Sequence, residues 1–182
     1  MAQKMKAEDV SAMATLHMAR QYHEAADELF AVNERRKGTV DQYKIDDPVY
    51  LLYFQTVELA LKAFLRSHGL PIAGTNRKGH NLKALHEECQ ALGLKLGADD
   101  RLTIGNIIGL LVSGNVDHGF RYYSKKATSL PDLSWTREVV ADLMRVVAPE
   151  VVARDIPPAK PSVKGVMTFP KPTPKVTTPS PS

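Results

Sequence analysis

An all-α fold, an antiparallel bundle of about five helices with a proline-rich tail, is predicted by three features of the 182-residue chain. Apolar residues recur at i, i+3, i+4 and i+7 almost to residue 152, the period of helices that bury one face. No stretch alternates strictly between apolar and polar, as a half-buried strand does. Eight of the 12 prolines fall in the last 27 residues, and of the others Pro48 and Pro131 suit helix starts and Pro71 sits in a loop. The reading is a single bundle over residues 1–155 and a disordered Pro/Lys/Thr/Ser-rich tail over 156–182, whose composition buries too little apolar surface to offset chain entropy.

The first helix is expected over Glu8–Arg36, with Ala14, Met18, Ala25, Leu29 and Val32 along its inner side. The second, Pro48–His68, follows acidic residues that suit a helix start and is the most apolar. Tyr50, Tyr53, Phe54, Val57, Leu61, Phe64 and Leu65 line one side, and Leu51, Leu52, Leu59 and Ala60 extend the apolar surface around the axis. Only Gln55, Glu58, Lys62 and Arg66 form a polar stripe, so this helix belongs at the bundle centre or at a subunit interface. A third helix, Asn81–Leu92, begins at a good N-cap and stops at Gly93.

The fourth, Asp100–Tyr122, carries Ile104, Ile107, Ile108, Leu111 and Val112 together with Gly105, Gly109, Gly114 and Gly119. An interior glycine costs about 1 kcal/mol relative to alanine. Four of them imply close helix approach or a break near Ser113-Gly114. The fifth helix runs from Asp132 to Val152, with Val139, Val140, Leu143, Met144, Val146 and Val147 inward and Pro149 kinking or shortening its end.

Charge and cysteine content restrict the function. There are 24 Lys+Arg against 20 Asp+Glu, yet Lys160, Lys164, Lys171 and Lys175 lie in a tail without an acid. Removing those four leaves 20 basic against 20 acidic residues, so the excess belongs to the tail and does not mark a basic nucleic-acid-binding domain. One cysteine excludes a disulfide framework and a Cys-rich zinc module and fits a reducing compartment. No apolar run approaches the roughly 18–20 residues that span a bilayer, and the opening residues lack the apolar core of a secretory signal. A cytoplasmic protein without a membrane partner is expected.

Familiar catalytic signatures are missing. No G-x-G-x-x-G occurs, and Gly69–Gly74 is followed by Thr75-Asn76 where a phosphate loop needs Lys-Ser/Thr. His17 and His23 are six apart, there is no H-E-x-x-H, and the His86/Cys89 pair has no further ligands beside it. No metal and no cofactor is expected. Two segments could meet an anion. Arg77-Lys78-Gly79-His80-Asn81-Leu82-Lys83 is acid-free and opens a helix, where amide N–H groups and the helix dipole favour negative charge. Phe120-Arg121-Tyr122-Tyr123-Ser124-Lys125-Lys126, just after His118, mixes cations with aromatics and offers both phosphate pairing and base stacking. The alternative is a core Phe120 and Tyr122 beside solvated loop charge.

Val57-Glu58-Leu59-Ala60-Leu61-Lys62-Ala63-Phe64-Leu65, then Gly79-His80-Asn81-Leu82-Lys83-Ala84-Leu85, then Phe120-Arg121-Tyr122 match in order and spacing an E-x-x-x-K-x-x-L, H-N/D-L, R-Y pattern. Over about Asp46–Lys126 the chain therefore resembles a branch of the HEPN domains, a family of small α-helical domains. The resemblance implies an up-down bundle, often dimeric with a cleft between protomers. Some members are metal-independent RNA endonucleases, including toxins and defence effectors, and others bind nucleotides, RNA or proteins without cutting.

The family's nuclease motif is an Arg followed, four to six residues on, by a His, and no Arg here satisfies it. Catalytic residues are therefore not carried over. The leading expectation is a non-catalytic RNA- or nucleotide-binding module, in a bacterial defence or toxin–antitoxin-like system, with His80, Lys83, His118, Arg121 and Tyr122 as its site and a Glu58–Lys62 ion pair in support. One alternative is a divergent metal-independent endoribonuclease, in which His118 does the acid–base work and Arg121 stabilises the phosphate. The other is a homodimeric interaction scaffold whose proline-rich tail recruits a protein partner.

Overall fold

A computed structural model describes residues 10–38, 46–70, 80–96, 104–115 and 130–155. Among them are five helices and no strand: α1 (Ala12–Arg36), α2 (Asp46–Ser67), α3 (Leu82–Ala91), α4 (Ile104–Gly114) and α5 (Leu133–Asp155). The tail, with the second half of the fourth helix expected from the sequence, lies outside the described residues.

Local chemistry fixes the helix ends. Ser11 caps α1, its hydroxyl accepting the Ala14 N–H at 3.0 Å, so the helix starts at Ala12 and not at Glu8. Asn81 does the same for α3 through the Ala84 N–H at 3.2 Å, and Asp132 for α5 through the Trp135 N–H at 3.0 Å. Beyond α2 and α3 the chain turns through Gly69 and Gly93, whose φ angles of 78° and 93° disfavour any residue with a Cβ. The amide of Leu70 then reaches the Leu65 carbonyl and that of Leu94 the Cys89 carbonyl, the six-to-one bond of a Schellman motif in each case. Pro149 does not shorten the last helix. Val147 and Val151 are buried on either side of it, and their packing holds the helix through to Asp155 despite one missing N–H.

α2 is the central helix. It packs against α1, α3 and α5, and from Val49 to His68 none of its residues is exposed. α1 runs antiparallel along it: Asn33 donates to Asp46, Tyr53 donates to Asp27 at 2.8 Å, and Arg66 donates to Thr15, so one index falls as the other rises. The buried side of α1 is Ala12, Thr15, Leu16, Ala19, Ala26 and Asn33, with Ala12, Ala19, Ala26 and Asn33 two turns apart along one line. The side expected from the sequence is turned outward, with Ala14, Met18 and Ala25 exposed and Leu29 and Val32 half-buried. Alanines lie all around this helix, so its periodicity fits two lines, and the surface of α2 selects one. Ala12, Ala19 and Ala26, seven residues apart, allow α1 to approach its neighbour closely.

α5 begins where α1 ends and α2 begins. The Tyr50 hydroxyl donates to the Pro131 carbonyl, and Arg137 donates to the Asp27 carboxylate at 3.1 Å while lying 5.4 Å from the Phe30 ring centre. α4 packs against α3 and α5 through Ile104, Ile107, Ile108 and Leu111. Its Gly109 is not a point of close helix approach, because a Cβ built there would meet nothing within 4 Å. The described helix runs to Gly114, so whether the chain breaks near Ser113-Gly114 on the way to Tyr122 falls at the edge of the described residues. Among the described residues no helix is long and apolar enough to cross a membrane.

Burial pushes the Tyr50 and Tyr53 hydroxyls up, the latter with help from Asp27, and the Cys89 thiol up to about 12. In an unfolded chain these groups ionise at roughly 8.5–10. Above that pH the unfolded state holds fewer protons than the native one, so stability falls as pH rises. The Tm should be flat near neutrality and decline from about pH 9 upward, and Tyr53→Phe should flatten that decline. A Tm series from pH 6.5 to 11 checks this; an alkaline limb as steep in the variant would refute it. Replacing the fully buried Leu61 by Ala should cost about 2–5 kcal/mol in urea denaturation.

Candidate functional site

Glu58 is the most deeply buried charged residue in the described structure, 3% exposed, in the polar stripe of α2. Its Oε1 accepts from the Lys62 ammonium at 2.6 Å and from His80 Nδ1 at 2.9 Å. Lys62 lies one turn along the same helix, whereas His80 arrives from 22 residues downstream, at the residue before the α3 N-cap. A carboxylate taken out of water needs such partners, since an unpaired buried charge costs several kcal/mol.

The consequences for the two partners differ. The Lys62 side chain is itself 13% exposed, so its charge is spent on Glu58. The His80 side chain is 86% exposed. Glu58 accepts from its Nδ1–H, which leaves Nε2 as the outward nitrogen of a ring held from behind. Lys83 is exposed in the first turn of α3. There the N-cap side chain takes up the Ala84 amide, and the amides of Leu82 and Lys83 have no partner within the helix. His80, Lys83 and the α3 N-terminus thus present donors and positive charge toward solvent. The structure brings together Glu58, Lys62 and His80, with Lys83 one turn further on. His118, Arg121 and Tyr122 lie outside the described residues.

A groove of about 570 Å³ runs along the seam between α3 and α4. One wall is the polar face of α3, Lys83, His86, Glu87 and Gln90. The other is Gly105, Ile108, Gly109 and Val112 of α4. Both sets are spaced i, i+3, i+4, i+7, so each helix gives the groove one whole stripe. Each stripe can be read from the helical spacing, but nothing in the sequence says that α3 and α4 are neighbours, so the pairing cannot. On the other flank of α4 a groove of about 450 Å³ is lined by Gly105, Asn106, Gly109, Leu110 and Trp135.

His86 and Cys89 do not share a ligand position. Cys89 is fully buried toward α2, where its thiol donates to the Leu61 carbonyl at 3.5 Å, and His86 lines the groove. Burial lowers the His86 pKa, against an opposing pull from Glu87. Among the described residues no group of three or more His, Cys, Asp or Glu side chains could hold a metal ion. Comparison of the chain with protein-family models, curated proteins and solved structures finds no match.

The buried pair should respond asymmetrically to mutation. Lys62→Met leaves Glu58 buried with only His80 beside it and should cost about 3–5 kcal/mol, whereas Glu58→Gln releases a lysine able to reach water and should cost about 1–3 kcal/mol. Urea denaturation of both variants checks the order, and equal losses would contradict it. Cys89 should be inert to thiol reagents at pH 8 until the protein is unfolded.

Proposed function

We propose that the chain is a HEPN-like, non-catalytic module that binds RNA or a nucleotide. The observation that carries this reading is the Glu58–Lys62–His80 cluster. It joins two of the three segments on which the family resemblance rests, through a buried carboxylate that holds an exposed histidine beside the N-terminus of α3. A ring fixed at Nδ1 with Nε2 outward, an exposed lysine three residues on and unpaired helix amides suit a phosphate oxygen. The segment with Arg121 and Tyr122 would add a second cation and a stacking surface, supplied across a homodimer cleft as the resemblance implies, in a defence or toxin–antitoxin-like setting that follows from the same resemblance. The cleaving alternative rests on His118 and Arg121, and the scaffold alternative on the tail and an unseen dimer face; neither has a described feature in its favour.

A short end-labelled single-stranded RNA, incubated with the full chain in EDTA, should stay intact on a denaturing gel. The same RNA should be retarded on a native gel, with affinity falling as salt rises. Lys83→Ala should weaken binding and reduce the slope of log K against log salt by about 0.7, the share of one phosphate contact on a single strand. His80→Ala should weaken binding while helicity is unchanged. Cleavage that vanishes in His118→Ala would replace this reading with the nuclease, and an absence of RNA and nucleotide binding would leave the scaffold.

A further inference from the structure

The groove between α3 and α4 is lined by a largely buried histidine whose ring nitrogens open into the groove instead of bonding to the protein. His86 is 9% exposed, and among the described residues it makes no hydrogen bond. Thr15, Thr56 and Thr136 are satisfied by carbonyls one turn back, Asn33 by Asp46, and Glu58 by Lys62 and His80, whereas His23 Nε2 and Trp135 Nε1 are buried without a partner outside this groove. What surface His86 keeps faces the groove. Gly109 on the opposite wall is equally unexplained by the fold, since its φ is not positive and a Cβ there would touch nothing. Alanine would stabilise the helix at that point. The glycine's effect is to leave bare helix backbone beside Ile108 and Val112, the latter 40% exposed, as a flat apolar floor.

Resting on the nucleotide-binding reading above, we infer that this groove is the seat of an adenine nucleotide, free or within RNA, with the base on the α4 floor and its phosphate toward Lys83. The apolar α4 side suits one face of a planar ring, and the volume falls in the range of roughly 300–1,000 Å³ typical of small-ligand sites. The α3 wall discriminates by its chemistry. A hydrocarbon would leave His86 unbonded. A simple anion would meet Lys83 but also the Glu87 carboxylate one turn on. A base edge is different, because it offers donors and acceptors together. The Gln90 amide matches the paired donor and acceptor of adenine N6 and N7, His86 held neutral by burial supplies one donor and one acceptor, and Glu87 can accept from an amino group.

Calorimetric titration of the full chain with AMP, UMP and inorganic phosphate tests the assignment, with the RNA retardation assay run on the same preparations. AMP should bind about tenfold more tightly than UMP, and phosphate alone more weakly than either. Gly109→Leu, which fills the groove from a position with free space, should weaken AMP about tenfold or more with helicity retained. Gln90→Ala, at an exposed position that cannot unfold the core, should bring AMP close to UMP. Equal binding of AMP and UMP, or AMP binding indifferent to both substitutions, would overturn the groove assignment. RNA retained by the full chain and by both variants, without AMP binding, would sink the groove and leave the binding module standing. Loss of both RNA and AMP binding in the unaltered chain would remove the two readings together.

Discussion

Because α2 is buried or half-buried from Val49 to Ser67, the polar groups on its buried sides must find partners in the protein. That requirement organises the molecule. Tyr53 takes Asp27 and Arg66 takes Thr15, which sets α1 antiparallel along α2. Tyr50 takes the Pro131 carbonyl, which places the start of α5. Glu58 takes His80, which places the start of α3, while the Leu61 carbonyl takes the Cys89 thiol near its end. Apolar burial supplies the driving force, but it is non-directional. The hydrogen bonds supply the register, because each works at one position and fails one turn away.

The candidate site is a by-product of the same constraint. A carboxylate placed in the core stripe of a central helix needs cations or donors, and one of the two it finds lies at the surface. His80 is therefore held by the interior and offered to solvent at once. The same logic makes the Lys62 ammonium a poor ligand for anything outside, since its charge already neutralises Glu58. The Asp27 carboxylate plays a comparable part on the opposite face, shared between Tyr53 and Arg137, and there it joins three helices.

α4 stands apart from this scheme. It packs on α3 and α5 through isoleucines and Leu111, and among the described residues no side-chain hydrogen bond ties it to another helix. Glycines at positions 105 and 109 remove side chains from its outer side, and the two grooves that flank α4 border them. The central helix spends its buried polar groups on partners within the bundle. The binding capacity lies at the periphery, where a helix has been left short of side chains.

The sequence by itself determined the all-α class, the existence of five helices and most of their ends, because caps, C-terminal glycines and the 3.6-residue period are local properties. It narrowed α2, apolar on nearly all sides, to the bundle centre or a subunit interface, and it made the Glu58–Lys62 pair available, since i and i+4 face each other. Tertiary structure decided which side of α1 is buried. The two lines Ala14/Met18/Ala25 and Ala12/Leu16/Ala19/Ala26 are about equally periodic, and only contact with α2 separates them. It decided that Pro149 is absorbed, because Val147 and Val151 pack on both sides of it. It decided that Glu58 meets His80, 22 residues away, and that one stripe of α3 faces one stripe of α4. Spacing along a chain fixes what a helix presents; only the packing of one helix on another fixes what meets it.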